Sequence, residues 1–224
     1  MRPVDRGKND KKFNHYRDAQ GDLIERLDES CSYCERKLYS ATQVEHVLPK
    51  SRHPELICQW DNLLLACANC NPTKGHEDIK REDYLWPDKD NTFLAFMYKE
   101  GGRITVNPEL NDRQTKCAQN LLDLTGLQKY PGKNKKNKDR RWRQRKEAWE
   151  GALLSLKRLS NDNTKEMREE IVEHAFSRGH WSIWMTMFKN DTDMLKRLTE
   201  RFPGTSKECF DKEGSPVPRK GGIV

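Results

Sequence analysis

The chain has 224 residues, of which 34% are charged, and its formal charge at neutral pH is +7. A mean hydropathy of −1.05 predicts a soluble protein with a light core. The sequence holds no apolar run near the roughly 18 residues of a membrane-spanning helix. Because it opens on Met1-Arg2-Pro3 without an apolar signal segment, a cytoplasmic location is expected. The length suits one small module and one further domain.

The first half of the sequence predicts a helix and a small two-stranded unit. A helical pattern covers residues 15–30, and strands are predicted at residues 43–49 and 63–66. Pro72 favours a helix that starts near Cys70, because a proline in the first turn lacks only an N–H that has no partner there. A unit of this size buries little core, so a bound metal would supply much of its folding energy.

The second half predicts a hairpin followed by helices. Two apolar runs flank a glycine pair within residues 92–106, which favours a hairpin. Further helices are predicted at residues 109–125, beyond Trp142, at 164–177 and at 192–202. The tail after Phe210 is rich in glycine, proline and lysine and is expected to be disordered. The expected segments are residues 1–80, 81–128, 129–146, 147–210 and 211–224.

Two CxxC pairs are the most informative motif of the chain. Cys31 and Cys34 form the first pair, and Cys67 and Cys70 form the second. Four thiolates in two such pairs complete a tetrahedral zinc site, although the 32 residues between the pairs exceed the usual zinc-ribbon spacing. Disulfides are not expected in the cytoplasm. Buried core cysteines and a redox pair are the alternatives, and structural zinc is favoured over both.

The segment around these pairs resembles the HNH endonuclease family, and the resemblance covers residues 28–80. The residues that carry it are Val44-Glu45-His46-Val47-Leu48-Pro49, Trp60-Asp61-Asn62-Leu63 and Cys70-Asn71-Pro72. The family pattern is an acid followed by a histidine, then an asparagine, and a final histidine or asparagine. Many members frame it with two zinc-binding CxxC pairs. Here Glu45 stands where aspartate is common, and Asn71 where the family name implies histidine; both keep an oxygen donor for a hard cation.

The resemblance implies a role for each residue of the motif. Glu45 and Asn71 would hold a catalytic Mg²⁺ or Mn²⁺, which neutralises charge on a phosphodiester. His46 would be the general base that takes a proton from water, and Asn62 would orient His46 through a hydrogen bond. Three cations would contact flanking phosphates, with solvated surface charge as the alternative. They are Lys50, Arg52 and Lys74.

Positive charge is concentrated beyond residue 128. Residues 1–128 carry 19 basic and 21 acidic side chains, whereas residues 129–224 carry 23 basic and 14 acidic ones. The excess begins in a run at residues 129–146, which is predicted to be linker-like and to contact phosphates. A solvated hinge is the alternative. The candidate contacts in this run are Lys133, Lys135, Lys136, Arg140 and Arg141.

Segments outside residues 28–80 make the family resemblance more specific. The opening Met1-Arg2-Pro3-Val4-Asp5-Arg6, the later Trp86-Pro87-Asp88 and a helical C terminus resemble the HNH component of Septu-type anti-phage defence systems. That resemblance implies an ABC-type ATPase subunit as partner and nucleic acid as substrate, with DNA favoured. The chain has no Walker motif, so any ATP dependence would come from the partner. Two alternatives stay open: an RNA substrate such as tRNA, and a zinc-containing nucleic-acid-binding subunit without catalysis. The predicted fold class is α+β, a zinc-stabilised module with a hairpin extension and a mainly helical C-terminal domain.

Overall fold

The computed structural model describes residues 1–131 and 139–224. Three of the predicted phosphate contacts, Lys133, Lys135 and Lys136, lie outside the described residues. The architecture is α+β, as predicted, with two short antiparallel hairpins and a helical C-terminal region. Among the described residues, no helix is long and apolar enough to cross a membrane.

The first sheet carries the residues of the motif. The sheet consists of β1 (Gln43–His46) and β2 (Leu63–Ala66). In the chain, α1 (Gln20–Leu27) precedes these strands and α2 (Cys70–Lys74) follows them. The two strands pair antiparallel, with Glu45 opposite Leu64 and His46 opposite Leu63. Every residue of β2 is buried, as its continuous apolar sequence predicts. Because successive side chains of a strand point to opposite faces, Glu45 and His46 leave β1 on different sides.

The second hairpin is shorter than predicted. Its strands are β3 (Phe96–Lys99) and β4 (Arg103–Val106), which pair antiparallel. Residues Thr92–Ala95 form a helical turn, α3, in place of the start of a strand, because the side chain of Asn91 accepts the N–H of Phe93 and caps the turn. At Gly102, a β-carbon would lie 2.1 Å from the carbonyl oxygen of Trp142. The hairpin therefore lies directly against the backbone of the next long helix.

The remaining helices lie close to their predicted positions, apart from one at Trp181–Met187 that was not predicted. They are α4 (Asp112–Thr125), α5 (Arg141–Asn161), α6 (Lys165–Arg178), α7 (Trp181–Met187) and α8 (Thr192–Arg201). Asn111 and Gln114 cap the start of α4 reciprocally, and Gly126 ends it with a left-handed φ of 63°. At the N termini of α6 and α8, the side chains of Thr164 and Asp191 each accept a backbone N–H and so cap the helix.

The helical region packs onto the first sheet and shares its core. One continuous set of buried apolar side chains runs from Leu23 in α1 to Leu198 in α8. A backbone bridge joins Arg36, just after the first cysteine pair, to Gly179 at the end of α6. The segments expected from the sequence are therefore parts of one packed unit.

The tail after Phe210 packs against the core, which corrects the prediction of disorder. Val224 is 2% exposed, and its carbonyl oxygen accepts the backbone N–H of Asn91 at 2.9 Å. The side chain of Asn91 in turn donates to the carbonyl oxygen of Val217 at 2.7 Å. The glycine, proline and lysine content of the tail obscured these contacts, because they depend on an acceptor and a donor distant in sequence.

Candidate active site and metal centre

The four cysteines that were predicted to bind zinc lie together. Their Sγ atoms are all within 4.8 Å of one another, and all four residues are buried. The turn of the first pair is closed by the N–H of Glu35, which donates to the carbonyl oxygen of Cys31 at 2.9 Å. In the second pair, the N–H of Cys70 donates to Sγ of Cys67 at 3.3 Å. Both pairs are therefore tight turns whose sulfur atoms converge on one point.

The spacing of the sulfur atoms fits a zinc ion. Sγ of Cys34 and Sγ of Cys67 are 3.8 Å apart. A tetrahedron with Zn–S bonds of about 2.3 Å has edges of about 3.8 Å. Four sulfur donors are a set that zinc takes in closed structural sites, which keep no open position for substrate. Zinc bound here would stabilise the fold and take no part in hydrolysis.

His46 ends β1 with its imidazole ring fixed by a backbone contact. Nε2 lies 3.0 Å from the carbonyl oxygen of Ile57, so Nε2 carries the proton and Nδ1 is the acceptor nitrogen. The residue is 7% exposed, and burial lowers the pKa of His46 below its ordinary value. The ring is therefore neutral at neutral pH. An oriented, unprotonated nitrogen is what a general base requires.

Asn62 hydrogen-bonds the backbone of the loop between β1 and β2, whereas the prediction placed its hydrogen bond on His46. Its Oδ1 accepts the N–H of Leu48 at 2.8 Å. Its Nδ2 donates to the carbonyl oxygens of Leu48 at 3.0 Å and Leu56 at 3.4 Å. These bonds hold both ends of the loop that joins β1 to β2. Since Ile57 belongs to that loop, Asn62 acts on His46 through the position of the Ile57 carbonyl group.

Glu45 enters a buried polar cluster on the other face of β1. Its carboxylate lies 3.0 Å from Nζ of Lys74, and both side chains are almost fully buried. It also accepts the hydroxyl of Tyr33 at 3.4 Å, while Nζ of Lys74 donates to the carbonyl oxygen of His46 at 2.9 Å. Burial raises the pKa of Glu45, and the charge of Lys74 opposes that rise. Because Lys74 is 3% exposed, the predicted phosphate contact is corrected: Lys74 is the counter-ion of Glu45.

Asn71, the second predicted ligand of a catalytic ion, also has a protein partner. Its Nδ2 donates to Oε1 of Gln43 at 3.1 Å. Beside Glu45, the ammonium group of Lys74 takes the position that a cation would need. This arrangement does not fit a bound Mg²⁺ or Mn²⁺, which requires oxygen ligands free of a competing cation. Ligation by Glu45 and Asn71 would require Lys74 to withdraw, and it stays a prediction.

Tyr16 lies beside His46 and was not found by the sequence reasoning. The two rings meet edge-on with centroids 4.8 Å apart. Nζ of Lys50 donates to the Tyr16 hydroxyl at 3.1 Å, and this hydrogen bond lowers the pKa of Tyr16. Lys50 and Arg52 are both exposed, so their phosphate contacts stay predictions. No spacing connects Tyr16 to the motif, because it approaches His46 only through the tertiary fold.

The described part of the basic run contains exposed and buried arginines. Arg140 is exposed and stays a predicted phosphate contact. Arg141 is 3% exposed, and its guanidinium group donates to the carbonyl oxygen of Gly126 at 3.1 Å and to Asp139 at 3.0 Å. Its burial removes Arg141 from the predicted phosphate contacts.

Residues 31–77 match the HNH endonuclease family. That range holds both cysteine pairs, β1, β2 and α2, so this part of the chain is an HNH domain. The chain is similar to the Septu protein PtuB of Bacillus thuringiensis, with 41% identity over 117 residues. The match covers 49% of this chain and 42% of the relative, so the chain spans less than half of that protein's length. The predicted resemblance to the HNH family and to a Septu component is confirmed.

Proposed function

We propose that the protein is a nuclease that hydrolyses phosphodiester bonds of nucleic acid through its HNH domain. The observation that carries the proposal is the state of His46, whose Nε2 is bound to the Ile57 carbonyl oxygen at 3.0 Å. This leaves Nδ1 free to take a proton from an attacking water. Lys50 and Arg52, exposed on the loop that follows β1, would hold the phosphates on either side of the scissile bond.

The proposal includes a divalent ion, Mg²⁺ or Mn²⁺, at Glu45 and Asn71. When bound, such an ion would supply positive charge to neutralise a phosphodiester and its leaving oxygen. The condition for binding is that Lys74, now 3.0 Å from Glu45, moves away. The four-cysteine cluster supports a second, structural metal, which we propose to be zinc.

The similarity to the Septu protein PtuB supports a role in anti-phage defence. We propose DNA as the substrate. RNA such as tRNA is the alternative, because contacts to phosphate carry no sequence information and do not by themselves separate the two polymers. An ABC-type ATPase subunit is the proposed partner. Any dependence of cleavage on ATP would then arise in that subunit.

A second candidate is a zinc-containing subunit that binds nucleic acid without cleaving it. The ion pair between Glu45 and Lys74 favours this candidate, because it occupies the acid that would hold a catalytic ion. The oriented and neutral His46 favours catalysis. The two candidates differ in what removal of the His46 imidazole does. In a nuclease it slows cleavage, whereas in a non-catalytic subunit it changes only the packing.

The deciding experiment compares His46→Ala with His53→Ala on plasmid DNA and on tRNA, with Mg²⁺ or Mn²⁺ added. His53 is the matched control, since it lies in the same loop and its Nδ1 is 3.4 Å from the exposed Glu55. Loss of a general base should slow cleavage by about 10²–10⁴-fold, whereas His53→Ala should cut like the parent. Parent protein that binds both polymers and cleaves neither, with and without the ATPase subunit, would establish the non-catalytic candidate.

A further inference from the structure

One arginine of the basic run touches a predicted zinc ligand. Nη1 of Arg141 lies 3.0 Å from Sγ of Cys70, within a buried environment. The same guanidinium group is oriented by Asp139 at 3.0 Å and by the carbonyl oxygen of Gly126 at 3.1 Å. Arg141 is the first residue of α5, so this contact joins the helical region to the second cysteine pair.

A second arginine approaches the cluster from the other side. Arg36 follows the first cysteine pair and hydrogen-bonds Asn69, which lies within the second pair. It also donates to Gln144 of α5 at 3.4 Å. Arg36 therefore connects both cysteine pairs to the same helix.

The charge of the metal centre explains why two buried or half-buried guanidinium groups gather there. A Zn²⁺ ion with four thiolates carries two negative charges, and an uncompensated charge is expensive in a buried site. Arg141 brings one positive charge to 3.0 Å from Sγ of Cys70. Arg36 holds a second one beside the second cysteine pair through its hydrogen bond to Asn69. Hydrogen bonds from outside the ligand set also fix the ligands and tune their affinity for the metal.

We propose that Arg36 and Arg141 form a charge-compensating shell around a zinc tetrathiolate, and that Arg141 uses this centre to hold α5 against the HNH domain. Zinc binding and docking of α5 are then linked equilibria. Because linkage is reciprocal, each must stabilise the other by the same factor. Arg141, at the start of α5, thus serves the metal centre, whereas the exposed Arg140 stays a predicted phosphate contact.

The test measures zinc affinity of the full chain by competition with a chromogenic chelator. Arg141→Gln removes the charge and should lower zinc affinity by about 10–100-fold, as loss of an outer-shell partner does. Arg145→Gln is the matched control, because Arg145 is in the same helix and 2% exposed. It donates to the carbonyl oxygens of Gly102 at 2.8 Å and Leu127 at 2.9 Å instead of to a sulfur atom. Arg141→Lys should recover part of the affinity through its charge.

Two results would overturn the proposal: unchanged zinc affinity in Arg141→Gln, or an equal loss in Arg145→Gln, which would make the effect one of helix packing. Hydrogen exchange of the parent chain gives a measurement that needs no variant. When zinc is removed, the protection of the amides at the start of α5 should fall by at least tenfold. The amides of α8 should still be protected at that stage. Loss of protection in both helices together would contradict a specific link to α5. None of these readouts depends on cleavage, so the proposal stands or fails separately from the nuclease function.

Discussion

The carbonyl oxygen of Ile57 fixes the tautomer and orientation of His46 at the scale of single atoms. It lies 3.0 Å from Nε2 and assigns the proton to that nitrogen, while burial lowers the pKa of the ring. A backbone group has no side-chain identity, so the sequence held no signal for this role. The resemblance to the HNH family implied that Asn62 would orient His46 instead.

The pH profile of cleavage should respond to the charge of Lys50. Burial, and then the nearby ammonium group of Lys50, lower the pKa of His46, so the acid limb of kcat/KM should lie below the ordinary histidine value of about 6.5. Lys50→Met removes a positive charge and favours the protonated ring, which should move the limb to higher pH. Lys50→Arg keeps the charge and should leave it in place. A limb that coincides in all three proteins would assign the titration to another group.

The pair of Glu45 and Lys74 should reveal whether Glu45 is a metal ligand. Lys74→Met leaves a buried carboxylate unpaired and should lower the free energy of unfolding by about 3–5 kcal/mol. If Glu45 binds Mn²⁺, added Mn²⁺ takes the place of the ammonium group and restores part of that loss. Chemical denaturation with and without Mn²⁺ measures both effects. The double variant Lys74→Met/Glu45→Gln should show no restoration; an equal response to Mn²⁺ in both variants would exclude Glu45 as a ligand.

At the scale of elements, the loop between β1 and β2 is the unit that builds the active site. The predicted position of β2, residues 63–66, is correct, because a continuous apolar run of this length is typical of a buried strand. The turn α3 was missed, since its cap by Asn91 competes with an apolar run that reads as a strand. Local patterns therefore predicted β2 and the cysteine site, whereas β1 ends at His46 instead of residue 49. Capping and loop closure depended on contacts that patterns do not encode.

Asn62→Ala should loosen this loop without disturbing the metal centre. The three hydrogen bonds of Asn62 to Leu48 and Leu56 disappear, and the buried backbone groups left unpaired should cost about 1–3 kcal/mol. Cleavage should slow because the Ile57 carbonyl group no longer holds His46, while zinc content stays at the parent level. Asn120→Ala is the control, since its half-buried side chain donates to a single backbone acceptor among the described residues, the carbonyl oxygen of Asp83 at 2.8 Å. Parent-like cleavage in Asn62→Ala would show that the loop closes without the clamp.

At the scale of the whole molecule, the sequence predicted the kinds of element but not how distant segments pack together. The composition of the tail suggested disorder, because composition reports local solvation. The shared core depends on pairs such as Arg36 and Gly179 that are distant in sequence. The burial of Lys74 and Arg141 was missed for the same reason, since their partners lie elsewhere in the chain.

Asn91→Ala should release the tail. Asn91 is fully buried, and its side chain donates to the carbonyl oxygens of Cys209 at 2.8 Å and Val217 at 2.7 Å. Loss of these bonds should lower the free energy of unfolding by about 1–3 kcal/mol. Limited proteolysis should then cleave the segment that follows Phe210 faster than it does in the parent. Equal cleavage rates in parent and variant would show that Asn91 does not hold the tail.

The position of Glu35 bears on how the protein is made. Its carboxylate accepts the hydroxyl of Tyr98 at 2.8 Å and the N–H of Ser182 at 2.7 Å, the latter 147 residues further along the chain. During synthesis at about 5–20 residues per second, the interval between these two residues lasts on the order of ten seconds. For that time the turn after Cys34 lacks its final partners. Cys31 and Cys34 leave the ribosome long before Ser182 and its helix α7, so the turn that these cysteines form is completed late in synthesis.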